Sequence, residues 1–409
     1  MKMRFLFTVG LLLSMAATHV AAQNATPSVN VEADRAGDDA GVKEVVHANA
    51  EKSVSPKIDV VFVLDTTGSM SGLIHAAQEK IWAIANTISK AEGKPSIRMG
   101  LVGYRDLGDE YVTVHTGLSE DIDAMYRDLM GYKADGGGDL PESVNQALNE
   151  AVGKMSWREG ADVYRVIFLV GDAPPHMYYQ DDVKYAQSCE SAKARGIFIN
   201  SIQCGRLQET KLVWNEIAEL AAGTYAAIPQ SGGAVLPPTP FDKGIAELSV
   251  ELDATRLYYG SALEKKEQLD RSEVGKNIAE RSSVQAVAQR AAFNACAAGN
   301  GNFCGNQELV NDVEEGKVKL DELKKEQLPD GLQDLSLEKL KDAVSSKSAE
   351  RKKLQSEIGA LTAKRQDWLK TQLAESGKEQ PELDRIIFSA IKEQAAKAGI
   401  SFGEGTPSL

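Results

Sequence analysis

Over residues 58–229 short apolar runs alternate with amphipathic stretches, and this alternation limits the possible folds more than any other feature of the chain. The runs IDVVFVLD, SIRMGLVGY, YVTVHT, YRVIFLVGD, IFINSIQ and TYAAI have the length of strands. Several are apolar without interruption, as strands are when both faces of a sheet are covered. Between them, apolar residues at helical spacing mark helices near 73–90, 122–130, 142–152, 182–194 and 212–222. Strand and helix in alternation give a mostly parallel sheet with helices on both faces, and YVTVHT, half polar, is expected at its antiparallel edge. The expected class for 57–229 is therefore α/β and doubly wound.

The segment PQSGGAVLPPTPF then interrupts the pattern, as clustered Gly and Pro do. Residues 230–260 are expected to be a linker with a connecting helix, and 261–409 an all-α helical hairpin or small bundle. Apolar stripes at spacings of three and four support this: Val274, Ile278, Val284, Val287 and Ala291, then Leu340, Val344, Leu354, Ile358, Leu361 and Leu369. Such stripes could also serve self-association, with the α/β part acting as a scaffold. At the other end, 1–22 has a basic start, an apolar run and small residues at Ala21 and Ala22, the pattern of a cleaved export signal. Residues 23–56 are poor in large apolar side chains and are expected to be a disordered linker. The mature chain, without a spanning segment, would then be periplasmic or secreted.

A net charge of −13 argues against nucleic acid or anionic lipid as partner and suits cations and basic surfaces. The four cysteines, Cys189, Cys204, Cys296 and Cys304, are disulfide candidates in an exported chain. CAAGNGNFC favours a local bridge between Cys296 and Cys304, which leaves Cys189 for Cys204; free buried thiols are the alternative reading.

In an open parallel sheet, loops leaving the carboxyl ends of the strands gather along one edge, where ligands bind. Asp65 ends the first run, Asp172 ends the run VIFLVGD, and ADGGGDLPES carries Asp139 on an acidic loop before a helix. Asp65, Thr67, Ser69, Asp139 and Asp172 form an oxygen-only set, the donors a hard dication takes. Mg²⁺ is the expected ion, with Ca²⁺ and Mn²⁺ as alternatives. Capping and turn roles would explain each residue singly, but not all of them at strand ends together. Gly137 and Gly138 allow close backbone approach. Tyr104, Arg105 and His176 are expected along the same edge, Arg105 either pairing with an acidic loop or meeting a ligand.

At these residues the chain resembles the von Willebrand factor type A (vWA) domain, a Rossmann-like fold. DTTGS matches its D-x-[ST]-x-S metal motif at Asp65, Thr67 and Ser69, and GDAPPH its later strand-end aspartate at Asp172. GYRD at 103–106 and GGGDLPE at 136–142 are similar to the branch that includes hemicentins and alpha-kinase-associated domains. The resemblance implies a metal-ion-dependent adhesion site, where a protein partner gives an acidic side chain to the cation. Asp139 stands where many members have threonine, which adds negative charge to the site.

The run VVFVLDTTG is also similar to the first motif of haloacid-dehalogenase-type phosphohydrolases, in which the aspartate is a nucleophile beside Mg²⁺. Those enzymes need a second carboxylate two residues later, where this chain has Thr67, and another where it has His176. The expectation is accordingly a non-enzymatic binding protein.

Overall fold

The structure is a computed structural model, and it describes residues 55–232, 237–376 and 382–403. The expected leader and most of the 23–56 linker lie outside the described residues. Six strands form one sheet: β1 (Lys57–Asp65), β2 (Ser96–Tyr104), β3 (Thr113–Ser119), β4 (Val163–Gly171), β5 (Ile197–Cys204) and β6 (Tyr225–Ile228). Their order is β3-β2-β1-β4-β5-β6, parallel except for β3, which pairs antiparallel with β2 at one edge. The helices joining these strands are α1 (Ser71–Ile88), α2 (Ile122–Gly131), α3 (Val144–Gly153), α4 (Tyr185–Ala194) and α5 (Gln208–Leu220).

The period of two along a strand sorts side chains to the two faces. In β1, Ile58, Val60, Phe62 and Leu64 pack with Trp82 of α1 and Tyr126 of α2, whereas Val61 and Val63 pack with Leu148 of α3 and Trp214 of α5. Every residue of β4 is buried, which is why its run reads as continuously apolar. At the lower end of β1, the fully buried Asp59 accepts from Arg98 and Arg158, with N–O distances of 2.6 to 3.0 Å. Burial would raise its carboxyl, and those two guanidiniums hold it below the usual range instead.

The following helices are α6 (Asp242–Asp253), α7 (Ala262–Arg281), α8 (Val284–Asn294), α9 (Asn300–Cys304), α10 (Leu309–Glu314), α11 (Leu337–Ser376) and α12 (Glu382–Ala395). They make the helical region expected after the sheet, and part of it packs against that sheet. All described residues fall in one compact unit. In α12, Leu383, Ile387, Ala390, Ile391 and Ala395 lie in the same apolar cluster as Phe62, Trp82 and Phe168, so this helix covers part of the sheet. Gln394 accepts from Tyr164 Oη (2.9 Å) and exchanges bonds with Asn200 on β5 (3.1 and 2.7 Å). Helix α8 is tied to α2 and α6 by Arg290, fully buried and within 2.6 Å of Asp123 and 2.9 Å of Asp253.

The expected helix over 263–292 is two helices: the first ends at Ser282, and Ser283 caps the next by accepting from the Ala286 amide (3.1 Å). The connecting helix expected within 230–260 is α6, whose Ile245 and Leu252 pack with Leu354 and Ile358 of α11. Leu340 and Val344 of α11 pack with Leu309, Val310 and Leu328. The stripe considered for self-association is therefore used inside the molecule. No described helix is long and apolar enough to cross a membrane.

All four cysteines are free thiols, which corrects the expected disulfides. Cys204 lies in the apolar cluster on one face of the sheet and Cys189 in the cluster on the other, so the sheet separates them. Cys304 packs with Phe303 and Leu354 in the helical part, while Cys296 sits against the cluster containing Trp82 and Phe293. Burial pushes the Cys189 and Cys304 thiols up to about 12, which keeps them protonated and unreactive.

Candidate metal centre

Asp65 and Tyr104 are the last residues of adjacent strands and pair in register, and Gly171 ends β4 on the other side of β1. Chain crossings on the two sides of β1 run to opposite faces, so a crevice opens above these ends. Asp65 is fully buried. Its Oδ1 accepts from the Thr67 amide (2.9 Å) and hydroxyl (2.6 Å), while Oδ2 is buried without a hydrogen-bond partner. Ser69 Oγ lies 3.4 Å from Thr67 Oγ1. The turn after β1 thus directs one carboxylate and two hydroxyls to one place.

Asp172 follows directly on β4. Its Oδ2 accepts from Gln230 Nε2 (2.6 Å), and its carbonyl accepts from Thr210 Oγ1 (2.8 Å). A methyl group on Gly171 would lie 2.4 Å from Tyr104 Oη, 2.9 Å from Asp65 Cβ and 3.0 Å from Asp65 Oδ2, so only glycine lets β4 come this close.

The glycine-rich loop closes over the first turn. The Gly68 amide donates to the Gly136 carbonyl (3.2 Å) and the Asp135 amide to the Thr66 carbonyl (3.2 Å). Gly137 has φ +79°, and a Cβ there would stand 2.9 Å from Glu142 Oε1 and 3.1 Å from Thr67 Cβ. Glu142 therefore reaches back beside Thr67. Its backbone pairs with the loop after β4, the Glu142 amide donating to the Pro174 carbonyl (2.9 Å) and the His176 amide to the Glu142 carbonyl (3.1 Å).

Glu142 is the acidic residue that the sequence reading passed over. It is buried, and its Oε2 has no hydrogen-bond partner. Burial, followed by the charges of Asp65, Asp106, Asp109 and Asp172, raises its carboxyl to about 9. Burial also raises Asp65 to about 7, against the lowering effect of its bonds from Thr67. A buried carboxylate oxygen without a donor costs several kcal/mol unless a cation or proton meets it. Two such oxygens beside two hydroxyls and Asp172 fit a hard dication.

The structure places Asp139 elsewhere on the loop. Its side chain is 60% exposed, its Oδ1 is 3.8 Å from His176 Nε2, and its Oδ2 accepts from Tyr178 Oη (3.2 Å). His176 is fully buried rather than on the surface, with Nε2 3.0 Å from Asp106 Oδ2. Asp106, quoted within GYRD, also accepts from Ser143 Oγ (2.9 Å) and Tyr179 Oη (3.0 Å). Of the other expected edge residues, Tyr104 is wholly buried, with its hydroxyl near Asp65. Arg105 turns inward, donating to the carbonyls of Thr66 (3.3 Å) and Lys133 (2.9 Å) and lying over the Tyr111 ring. Its carboxylate contact is Glu110 at 3.5 Å, so Arg105 serves loop structure. Gly138 stays exposed in the loop, where nothing would meet a side chain.

Comparison with known proteins agrees with this part of the chain. The sequence model of the von Willebrand factor A domain matches residues 59–238. A putative ariadne-like RING finger protein of Acanthamoeba polyphaga mimivirus is 30% identical over 122 residues, which are 29% of this chain and 11% of that protein. The present chain thus spans a small part of that relative's length. Among solved structures, the proximal thread matrix protein 1 of the mussel byssus, with a zinc-occupied metal-ion-dependent adhesion site motif, aligns at 16% identity and a TM-score of 0.34. That alignment covers 43% of this chain and 42% of the mussel protein. The SpRpn10 VWA domain aligns at 14% identity and a TM-score of 0.33, covering 43% of this chain and 89% of that one. The match to the family model takes in less than half of the chain, and what it shows is the similarity of residues 59–238 to a von Willebrand factor A domain.

Proposed function

We propose that the chain is a non-enzymatic, metal-dependent protein-binding protein, exported by its N-terminal leader, that captures a partner through a dication on the edge built by Asp65, Thr67, Ser69 and Asp172. The observation that carries this is the pair of buried, donorless carboxylate oxygens, Asp65 Oδ2 and Glu142 Oε2, beside two hydroxyls at the strand ends. In this reading Glu142 takes the position on the glycine-rich loop that Asp139 was expected to fill. The donors are oxygens only, which favours Mg²⁺, with Ca²⁺ or Mn²⁺ able to substitute.

Charge explains how an acidic partner is accepted. Were Asp65, Asp172 and Glu142 all ionised, the loaded site would stay negative and repel a carboxylate. In the metal-free protein, burial and then the neighbouring carboxylates raise Glu142 to about 9, so it is protonated at neutral pH. If Glu142 keeps that proton beside the ion, Asp65 and Asp172 balance the dication, and a partner's aspartate or glutamate can complete its shell. The cation supplies the attraction for that carboxylate; Thr67, Ser69 and the neutral Glu142 orient it without cancelling its charge. Thr67, where a phosphohydrolase of the similar motif has an acid/base, donates its hydroxyl hydrogen to Asp65, and an alcohol is too weak an acid and base to relay a proton at neutral pH.

The test is capture of partner from an extract on the immobilised full chain, with magnesium and with chelator, using wild type and Asp65→Asn. Capture that needs magnesium and is lost in the variant is expected. Capture of the same protein in chelator, or unchanged by Asp65→Asn, would refute the metal-bridged mode.

A further inference from the structure

A second cluster of ligand atoms stands on the same edge but shares no residue with the site just described. Asp106 lies at the start of the loop between β2 and β3, Asp139 lies on the glycine-rich loop, and His176 lies on the loop after β4. One donor atom from each falls within 4.8 Å of the other two. From these observations we infer a second cation site on Asp106, Asp139 and His176, selective for a borderline first-row dication such as Zn²⁺.

The distances suit such an ion. Bonds of about 2.0 to 2.1 Å at tetrahedral angles put neighbouring donors roughly 3.3 Å apart. His176 Nε2 is 3.0 Å from Asp106 Oδ2 and 3.8 Å from Asp139 Oδ1, on either side of that value. His176 is fully buried, and the polar contacts of its ring are these two carboxylates; Nδ1 has no partner. A wholly buried imidazole aimed from a third chain segment at two carboxylates is a nitrogen donor waiting for a charge to share. Neither Asp106 nor Asp139 has a lysine or arginine partner among the described residues.

A supporting shell is also in place. Ser143 Oγ and Tyr179 Oη hold Asp106, and Tyr178 Oη holds the second oxygen of Asp139. Tyr179 stacks on the His176 ring with centroids 4.2 Å apart, and Tyr178 meets it edge-on at 4.8 Å. Ligands fixed in this way bind more tightly, because little is left to order when the ion arrives. The imidazole nitrogen and the small number of protein donors disfavour Mg²⁺ and Ca²⁺, which want an oxygen shell, and favour zinc-like ions. Because Asp139 is 60% exposed, the fourth position opens to solvent, available to water or to a partner's own side chain. A bound ion would also pin the glycine-rich loop, and with it Gly136 over Gly68, to the ends of β2 and β4.

The experiment is a calorimetric zinc titration of the full chain, stripped with chelator and kept in excess magnesium so that the first site is occupied. One zinc per chain is expected. Asp139→Asn, at an exposed position where the fold is not at risk, should weaken zinc binding by at least about tenfold. Asp65→Asn should leave it unchanged while abolishing magnesium binding. No zinc uptake in excess magnesium, or equal zinc affinity in wild type and Asp139→Asn, overturns the second site. Zinc binding lost in Asp65→Asn would place the ion at the first site instead and would equally overturn it. A magnesium titration that Asp65→Asn does not alter bears on the first site alone.

Discussion

Replacing Asp65 by asparagine should stabilise the metal-free protein, and the size of the effect should follow pH. The carboxyl is fully buried and raised from 3.8 to about 7 by that burial. A group with its folded pKa raised in this way leaves stability intact below the unfolded value; stability is lost as pH rises from there through the folded value. For Asp65 the window runs from about pH 4 to about pH 7, and the accumulated loss is about 4 kcal/mol at pH 8 but about 2 kcal/mol at pH 5. An asparagine carries no charge to bury. Its Oδ1 can still accept from the Thr67 amide and hydroxyl. The advantage of Asp65→Asn in chelator should therefore grow by about 2 to 3 kcal/mol between pH 5 and pH 8. Urea denaturation at both pH values, with chelator and then with saturating magnesium, measures it. Magnesium should restore wild type and leave the variant unmoved. An advantage independent of pH, or a variant less stable than wild type in chelator at pH 8, would show that the Asp65 carboxylate carries no such burial cost.

The same raised carboxyl must lose its proton to bind a cation, so magnesium affinity should increase about tenfold between pH 6 and pH 8; a flat profile by calorimetry would count against Asp65 as ligand. Gly171→Ala places a methyl 2.4 Å from Tyr104 Oη and 3.0 Å from Asp65 Oδ2. It should cost about 1 to 3 kcal/mol and weaken magnesium binding; unaltered melting and binding would show that the strand ends are looser than described. Arg290→Ala leaves Asp123 buried and unpaired at the junction of α2, α6 and α8. A loss of about 3 to 5 kcal/mol is expected in urea denaturation, and a loss below about 1 kcal/mol would mean the helices are held otherwise.

Much of the sheet could be read from the sequence because burial on both faces leaves a local mark, as in VYRVIFLVG of β4. Asp65 and Asp172 were legible for a related reason: each breaks an apolar run where a parallel strand must end. Glu142 was not. GGGDLPE offers two acids three residues apart, and what turns the second inward is backbone pairing with Pro174 and His176, more than thirty residues away. Local spacing contains nothing of that pairing. His176 followed the same logic, reading as a loop residue until the Asp106 turn buried it. The cysteines were misjudged because pairing by proximity in sequence ignores which face of the sheet each thiol occupies. Helix α12 read as part of a separate bundle, since an amphipathic stripe does not say what it covers; Gln394, polar within that stripe, bonds Tyr164 and Asn200 of the sheet.

The proposed dication sits on the edge built by Asp65, Thr67, Ser69 and Asp172, with Glu142 beside it. Crystals of the full chain soaked in manganese give an anomalous signal that locates the ion directly. The account predicts a peak within bonding distance of Asp65 Oδ2, absent in crystals of Asp65→Asn. Anomalous density missing from this edge in wild type, or persisting there in the variant, would contradict it.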